Sequence, residues 1–224
     1  MKLATQTVVS SLIAFAMFIT LVFLPAGTFD YWQGWLFIAL LVIASAGPAI
    51  YLGVKNPATL ERRMRGGPLA ESRTAQKVAS SGTLLSLPGV MVISALDHRF
   101  GWSSVPAEIS LIGDVLVLVG VGISFLVIIQ NSYAAANITV EADQKVVSTG
   151  LYGLVRHPMY VGMLIFLAST PLALGSYWGL VVLILGVIVF AFRIVDEEKM
   201  LEEELNGYID YTREVQYRLV PHVW

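Results

Sequence analysis

The stretch Ile109–Gln130, ISLIGDVLVLVGVGISFLVIIQ, decides the fold. A helix that crosses a bilayer needs about 20 mainly apolar residues, and this run meets that length with one acid, Asp114. Five more apolar runs lie near Val8–Leu24, Trp32–Leu52, Val78–Leu96, Met159–Leu174 and Trp178–Phe192, and Asp114 is the only acid within any of the six. The last two runs are short and only Gly175-Ser176-Tyr177 separates them, so they read as a tight helical hairpin. Pro48 and Pro88 interrupt the second and third runs and read as kinks. The first run also has a signal-peptide reading, from Lys2, the apolar stretch and Pro25-Ala26-Gly27. Its length and the five runs after it favour a membrane helix. The expected fold is all-α: a polytopic integral membrane protein with about six transmembrane helices and a C-terminal cytoplasmic helical tail.

Composition agrees. Of 224 residues, 56% are hydrophobic and 13% charged, against about 25% charged in soluble domains. Too few polar groups remain to cover a globular surface in water. A net charge of -2 gives no basic field for phosphates, so nucleic acid is excluded as a partner. The absence of Cys excludes disulfides, thiolate ligands and cysteine nucleophiles. His98 falls on the far face and His222 near the end, so no His pair stands at ligand spacing and no metal is expected.

Basic residues set the expected orientation. Lys55, Arg62, Arg63, Arg65, Arg73 and Lys77 follow the second run; Lys145 and Arg156 follow the fourth; Arg193, Lys199, Arg213 and Arg218 follow the sixth. The opposite face has only Arg99. By the positive-inside rule, the basic segments and both termini are expected in the cytoplasm. Trp32, Trp35, Trp102, Tyr177 and Trp178 fall near the other interface and suit an aromatic belt.

Three polar clusters gather on the expected cytoplasmic side. The first is Val146–Tyr160, VVSTGLYGLVRHPMY. Pro158 suits the first position of a helix and pushes His157 out of the α region. His157 is thus expected at a helix mouth, beside free backbone N–H groups and the positive dipole end, a setting for an anionic group such as an amino-acid carboxylate. Gly150 and Gly153 permit a turn and a close backbone approach to a ligand. Taken singly, His157 is an ordinary cap, Tyr152 and Tyr160 are interface anchors, and Arg156 serves topology. It is their packing at one helix mouth that points to chemistry.

The second cluster, Arg193–Leu201, leaves the sixth run with Arg193 and Glu197 four residues apart and Glu198 beside them. Acids at a membrane boundary are costly unless paired or used, and a sulfonium or ammonium ligand would be stabilised by them. Glu202, Glu203 and Glu204 read as a solvated face. The third cluster places Tyr208, Tyr211 and Val215 on one helical face, either a lid over the site or an interfacial helix.

These residues resemble a family. Val147 through Tyr160, with its Arg-His-Pro-x-Tyr core, is similar to the signature of the isoprenylcysteine carboxyl methyltransferases, within a wider set of small membrane methyltransferases that includes phospholipid methyltransferases. Arg193-x-x-x-Glu197-Glu198-x-x-Leu201 and the closing Gly207, Tyr211, Val215, Arg218 and Pro221 match its second half in order and spacing. The chain departs from the pattern at Leu151, where many members have Pro, and in a shorter segment around Gly207-Tyr208. The N-terminal part looks like that of bacterial members.

The resemblance implies an enzyme that uses S-adenosylmethionine and acts on a lipophilic or prenylated acceptor drawn from the bilayer, with carboxyl O-methylation expected first, in a bacterial inner membrane. It implies cofactor contacts from Val147, Gly150, Tyr152, His157, Tyr160, Glu197 and Glu198, catalytic roles for Arg156 and Arg193, and a substrate-side position for Asn131. It implies a division into a four-span membrane region, 1–130, for scaffold and lipid access, and a cofactor-binding core, 131–224, with the helical hairpin and the tail. Two alternatives stand beside it. One is an NADPH-dependent membrane reductase of the sterol-reductase type, whose Arg-His-x-Asn-Tyr pattern this chain lacks. The other is a non-catalytic membrane protein that keeps the fold.

Overall fold

The structure, a computed structural model, describes residues 2–64, 73–133 and 144–224. Arg65, counted among the basic residues above, lies outside them. In chain order the helices are α1 (Lys2–Ala26), α2 (Trp32–Lys55), α3 (Pro57–Met64), α4 (Thr74–Phe100), α5 (Ala107–Gln130), α6 (Pro158–Ala173), α7 (Gly179–Glu204) and α8 (Tyr208–Glu214). A 3-10 turn, Gly150–Gly153, precedes α6. No strand occurs among the described residues. The chain is all-helical, as a polytopic membrane protein should be, and each of the six apolar runs forms a helix. Pro48 and Pro88 lie inside α2 and α4 without ending them.

Five of the helices are long and apolar enough to cross a membrane: α1, α2, α4, α5 and α7. The other, α6, has 16 residues, about 24 Å of helix against a hydrocarbon core of about 30 Å. Its ends explain the length. Pro158 opens it, and Gly175, at φ +66, closes it. Ser176 N donates to Pro171 O at 2.8 Å and Gly175 N to Leu172 O at 2.9 Å, the paired bonds of a glycine-terminated Schellman end.

Helix α6 is held by α5 through small residues. A Cβ on Gly113 would stand 2.4 Å from Ala173 N, and one on Gly120 2.7 Å from Gly162 O. Only glycine admits backbones so close, the usual means of packing helices in lipid. Helix α7 lies on α4, where Gly82 faces Val189 and Gly89 faces Val182. Two apolar cores result, one around Val22, Phe37, Met91, Val117 and Leu174, the other around Val90, Tyr160, Leu167, Phe190 and Ile194. Ile13, Leu24, Ile43, Leu85, Ile184 and Phe192 are exposed and form the surface offered to lipid. Leu3 packs with Leu52, Leu60, Ile128 and Met159, which brings the start of α1 to the same end of the bundle as the start of α6.

The opposite end is closed by a carboxylate that the apolar runs do not reveal. Helix α4 continues past Leu96 to Phe100 and so takes in an acid, Asp97, that is buried. This corrects the expectation that Asp114 is the only acid within a span. Asp97 Oδ1 accepts from Ser103 N at 2.7 Å, and Oδ2 accepts from Ser103 Oγ, from Ser176 Oγ at 2.5 Å and from Trp178 N at 3.4 Å. Beside it, Tyr31 donates to Leu174 O at 2.5 Å and stacks on His98 at 3.8 Å. Asp114 is also buried, and among the described residues neither of its oxygens finds a hydrogen-bond partner.

Candidate functional site

The site is built where five segments meet: the end of α5, the 3-10 turn, the start of α6, the last turns of α7, and the tail from α8 onward. Pro158 occupies the first turn of α6, and His157 caps it at φ -122, ψ 61, the non-helical conformation expected of a residue before proline. Gly150 adopts φ +62, and the Cβ it lacks would stand 2.7 Å from the Gln130 carboxamide. Leu151 N donates to Gln130 Oε1 at 3.0 Å. Glycine is required twice over there, by dihedral and by space, and the signature segment docks on the end of α5 through it. The tail then runs alongside: Arg156 N donates to Tyr217 O at 2.9 Å and His157 N to Arg218 O at 3.0 Å.

Glu198 is the hub of this arrangement. It is buried, and both oxygens are engaged. Oε1 accepts from Arg156 Nε at 2.7 Å and lies 3.1 Å from His157 Nε2; Oε2 accepts from Arg218 Nε at 2.7 Å. Arg156 also donates through Nη1 to Val215 O at 3.0 Å and Gln216 O at 2.8 Å. Charge-assisted bonds of this length are the stronger kind. One carboxylate thus ties α7 to the mouth of α6 and to the tail.

The neighbouring residue behaves differently. Successive residues on a helix point about 100° apart, so Glu197 faces another way. It is half-buried, and Tyr160 donates to its Oε2 at 2.7 Å. Tyr160 in turn accepts from Arg193 Nε at 2.9 Å, and Arg193 Nη1 also bonds Ser80 Oγ on α4. No hydrogen bond from the described residues reaches Glu197 Oε1. A half-exposed carboxylate with one oxygen open is a ready partner for a cation.

Asn131, just past α5, donates to Tyr152 Oη at 3.1 Å, and Tyr211 of α8 donates to Tyr152 O at 2.7 Å. Burial, opposed by the Asn131 bond and reinforced by the Glu197 charge, pushes the Tyr152 phenol up to about 12. Burial also raises Tyr211, with the Tyr152 charge adding and Arg156 opposing. Both phenols are therefore neutral at physiological pH. Tyr208, Tyr211 and Val215 form one buried cluster with Leu205, against which Val146 and Leu201 pack. The aromatic face of α8 thus packs on protein. Val147, next to Val146 in the chain, is half-buried, and Glu202, Glu203 and Glu204 are exposed.

The structure therefore gathers Asn131, Val147, Gly150, Tyr152, Arg156, His157, Tyr160, Arg193, Glu197 and Glu198 at one end of the bundle. Sequence reasoning did not single out Gln130, Gln76, Ser80 or Asp196 for this region. It gave Arg218 a place in the motif but no partner. Gln76 Nε2 bonds the Asp196 carboxylate, which also pairs with Arg73 at 3.4 Å. The signal was present: Gln76 and Ser80 are polar residues four apart at the start of an apolar helix, hence on one face.

Among curated proteins no match is found. Residues 109–206, from the first turn of α5 to just beyond α7, match the family model described as phospholipid methyltransferase, the same group of membrane methyltransferases as the isoprenylcysteine carboxyl methyltransferases that the motifs resemble.

Proposed function

We propose that the protein is an integral-membrane, S-adenosylmethionine-dependent methyltransferase with a lipophilic acceptor, and that a carboxylate of the isoprenylcysteine kind is the acceptor class the site suits best. The observation that carries this reading is the convergence of Arg156, His157, Tyr160, Arg193, Glu197 and Glu198 at the mouth of α6. The donor set fits the cofactor. Glu197 Oε1 is open to an ammonium, and the helix mouth and its guanidinium groups suit a carboxylate.

Bound there, S-adenosylmethionine supplies an electrophilic methyl group on a sulfonium. The chain's own residues do the rest. Glu197 holds the ammonium, fixed in rotation by Tyr160, which Arg193 orients. His157 and Tyr152, with the backbone of Val147 and Gly150, line the cofactor. Glu198 keeps the mouth of α6 and the tail together, and with them a site that excludes water. Arg156 or Arg193 could clamp an anionic acceptor through bidentate pairing, and such an acceptor needs no general base. For an amine or hydroxyl acceptor the base would be His157.

Helix α6, with 16 residues, is shorter than the helices long enough to span, and in this reading its shortness gives a lipophilic acceptor access beside Asn131. In this reading residues 1–130 guide the acceptor, residues 131–224 hold the cofactor, and the site faces the cytoplasm of a bacterial inner membrane.

Calorimetry in detergent tests the assignment. His157→Ala and Glu198→Ala are expected to lose measurable binding of S-adenosylmethionine while membrane insertion is retained; unchanged affinity in both would overturn it. Membranes incubated with methyl-labelled cofactor then identify the lipid fraction that gains the methyl.

A further inference from the structure

Tyr208 opens α8 directly after the left-handed Gly207, which stands at φ +85. Its side chain is 4% exposed, and its hydroxyl has no hydrogen-bond partner among the described residues. Buried hydroxyls are rarely left so, and each case calls for a cause. The ring is fixed: it packs at 5.8 Å from the Tyr211 ring, within the cluster of Leu205, Val215, Leu201 and Val146. That cluster borders the site: Val215 O accepts from Arg156 Nη1 at 3.0 Å, and Tyr211 donates to Tyr152 O at 2.7 Å. Gln76 Oε1 is orphaned too, but the Gln76 amide is already engaged with Asp196 and the Arg193 carbonyl. The Tyr208 hydroxyl has no such engagement among the described residues.

We propose that Tyr208 is a further cofactor-binding residue, whose hydroxyl hydrogen-bonds the amino-acid end of the methyl donor. The proposal rests on the methyltransferase reading above and deepens it. In an α-amino acid the ammonium and carboxylate leave the same carbon. A ligand whose ammonium meets Glu197 therefore carries its carboxylate within a few ångströms, and toward the adjacent Glu198 the groups that would receive it are Arg156, the α6 mouth and the hydroxyl of Tyr208. A phenol there, donor and acceptor in one group, can satisfy either function, and its own orphan state ends on binding.

Tyr208→Phe removes the hydroxyl alone and keeps the ring. The test compares this variant with the parent protein in detergent, using S-adenosylhomocysteine and 5′-methylthioadenosine, which lacks the amino-acid end, and also measures unfolding without ligand. The expected result is an affinity for S-adenosylhomocysteine about tenfold weaker, the worth of one buried hydrogen bond. Affinity for 5′-methylthioadenosine should be unchanged, and the ligand-free unfolding temperature equal or higher, since an unpaired hydroxyl has been removed. Equal affinity of both proteins for S-adenosylhomocysteine overturns the proposal and leaves the functional reading standing. So does an equal loss for both ligands, or a fall in ligand-free stability, which would mark a structural hydroxyl. If the parent protein binds neither compound, the functional reading falls and this proposal with it.

Discussion

Two buried carboxylates, Glu198 and Asp97, stitch the two ends of this bundle, and they do so in opposite ways. Asp97 is met by neutral donors, the hydroxyls of Ser103 and Ser176 and the backbone N–H groups of Ser103 and Trp178. Glu198 is met by Arg156, Arg218 and His157. Each acid joins segments far apart in sequence. The difference lies in what is left over. Around Asp97, hydroxyl and amide dipoles close upon one acceptor, and both of its oxygens are satisfied. Around Glu198, no hydrogen bond from the described residues reaches Glu197 Oε1, and among them the buried hydroxyl of Tyr208 goes unpaired. A closed hub is a staple, and an open one is a site.

Removing each acid gives the largest contrast. Glu198→Ala leaves buried guanidinium groups without their counter-charge, a change that costs about 3–5 kcal/mol. It should free the tail to trypsin at Arg218 and weaken methyl-donor binding at least about a hundredfold, as about 3 kcal/mol would. Limited proteolysis and calorimetry read both effects. Asp97→Ala should cost about 2–4 kcal/mol, the penalty of several orphaned donors, and lower the unfolding temperature while leaving donor affinity as it was. If Asp97→Ala also impaired binding, the two ends would not be separable as drawn here.

Smaller changes sharpen the picture within the site. Tyr160→Phe cuts the link from Arg193 to Glu197 and is expected to lower kcat/KM about tenfold, one hydrogen bond's worth, with the tail as protease-resistant as before. Gly150→Ala forces a side chain into the left-handed region against Gln130. Its cost is about 1–2 kcal/mol, visible as faster hydrogen exchange in the segment before α6. The smallest effect is on alkaline stability. The Tyr152 phenol is raised from 10.0 to about 12, so the folded form retains its proton where the unfolded form loses it. Stability from this group is full below pH 10 and falls as pH rises to about 12. A titration followed by phenolate absorbance should show Tyr152 ionising only with unfolding.

Much of this was readable from residues alone. The helices follow from unbroken apolar runs, and the mouth of α6 from His157-Pro158, because these are local effects of hydropathy and backbone sterics. Asp97 escaped notice because the apolar run ends at Leu96, while the helix itself continues until Gly101 supplies a left-handed end. Arg218 was visible as a motif residue, but its bond to Glu198 was not, since no local period sets a pairing between a helix and a returning tail.

The amino-acid sequence by itself determined that the chain is a bundle of apolar helices with its polar groups concentrated at one end, and which residue types stand there. The division of labour between Glu197 and Glu198 was decided only by the tertiary structure. They are adjacent in the chain and chemically alike. Which one meets Arg156 depends on how α7 is rotated, and that rotation is fixed by where Gly82, Gly89 and Gly186 let it settle against α4 and α6.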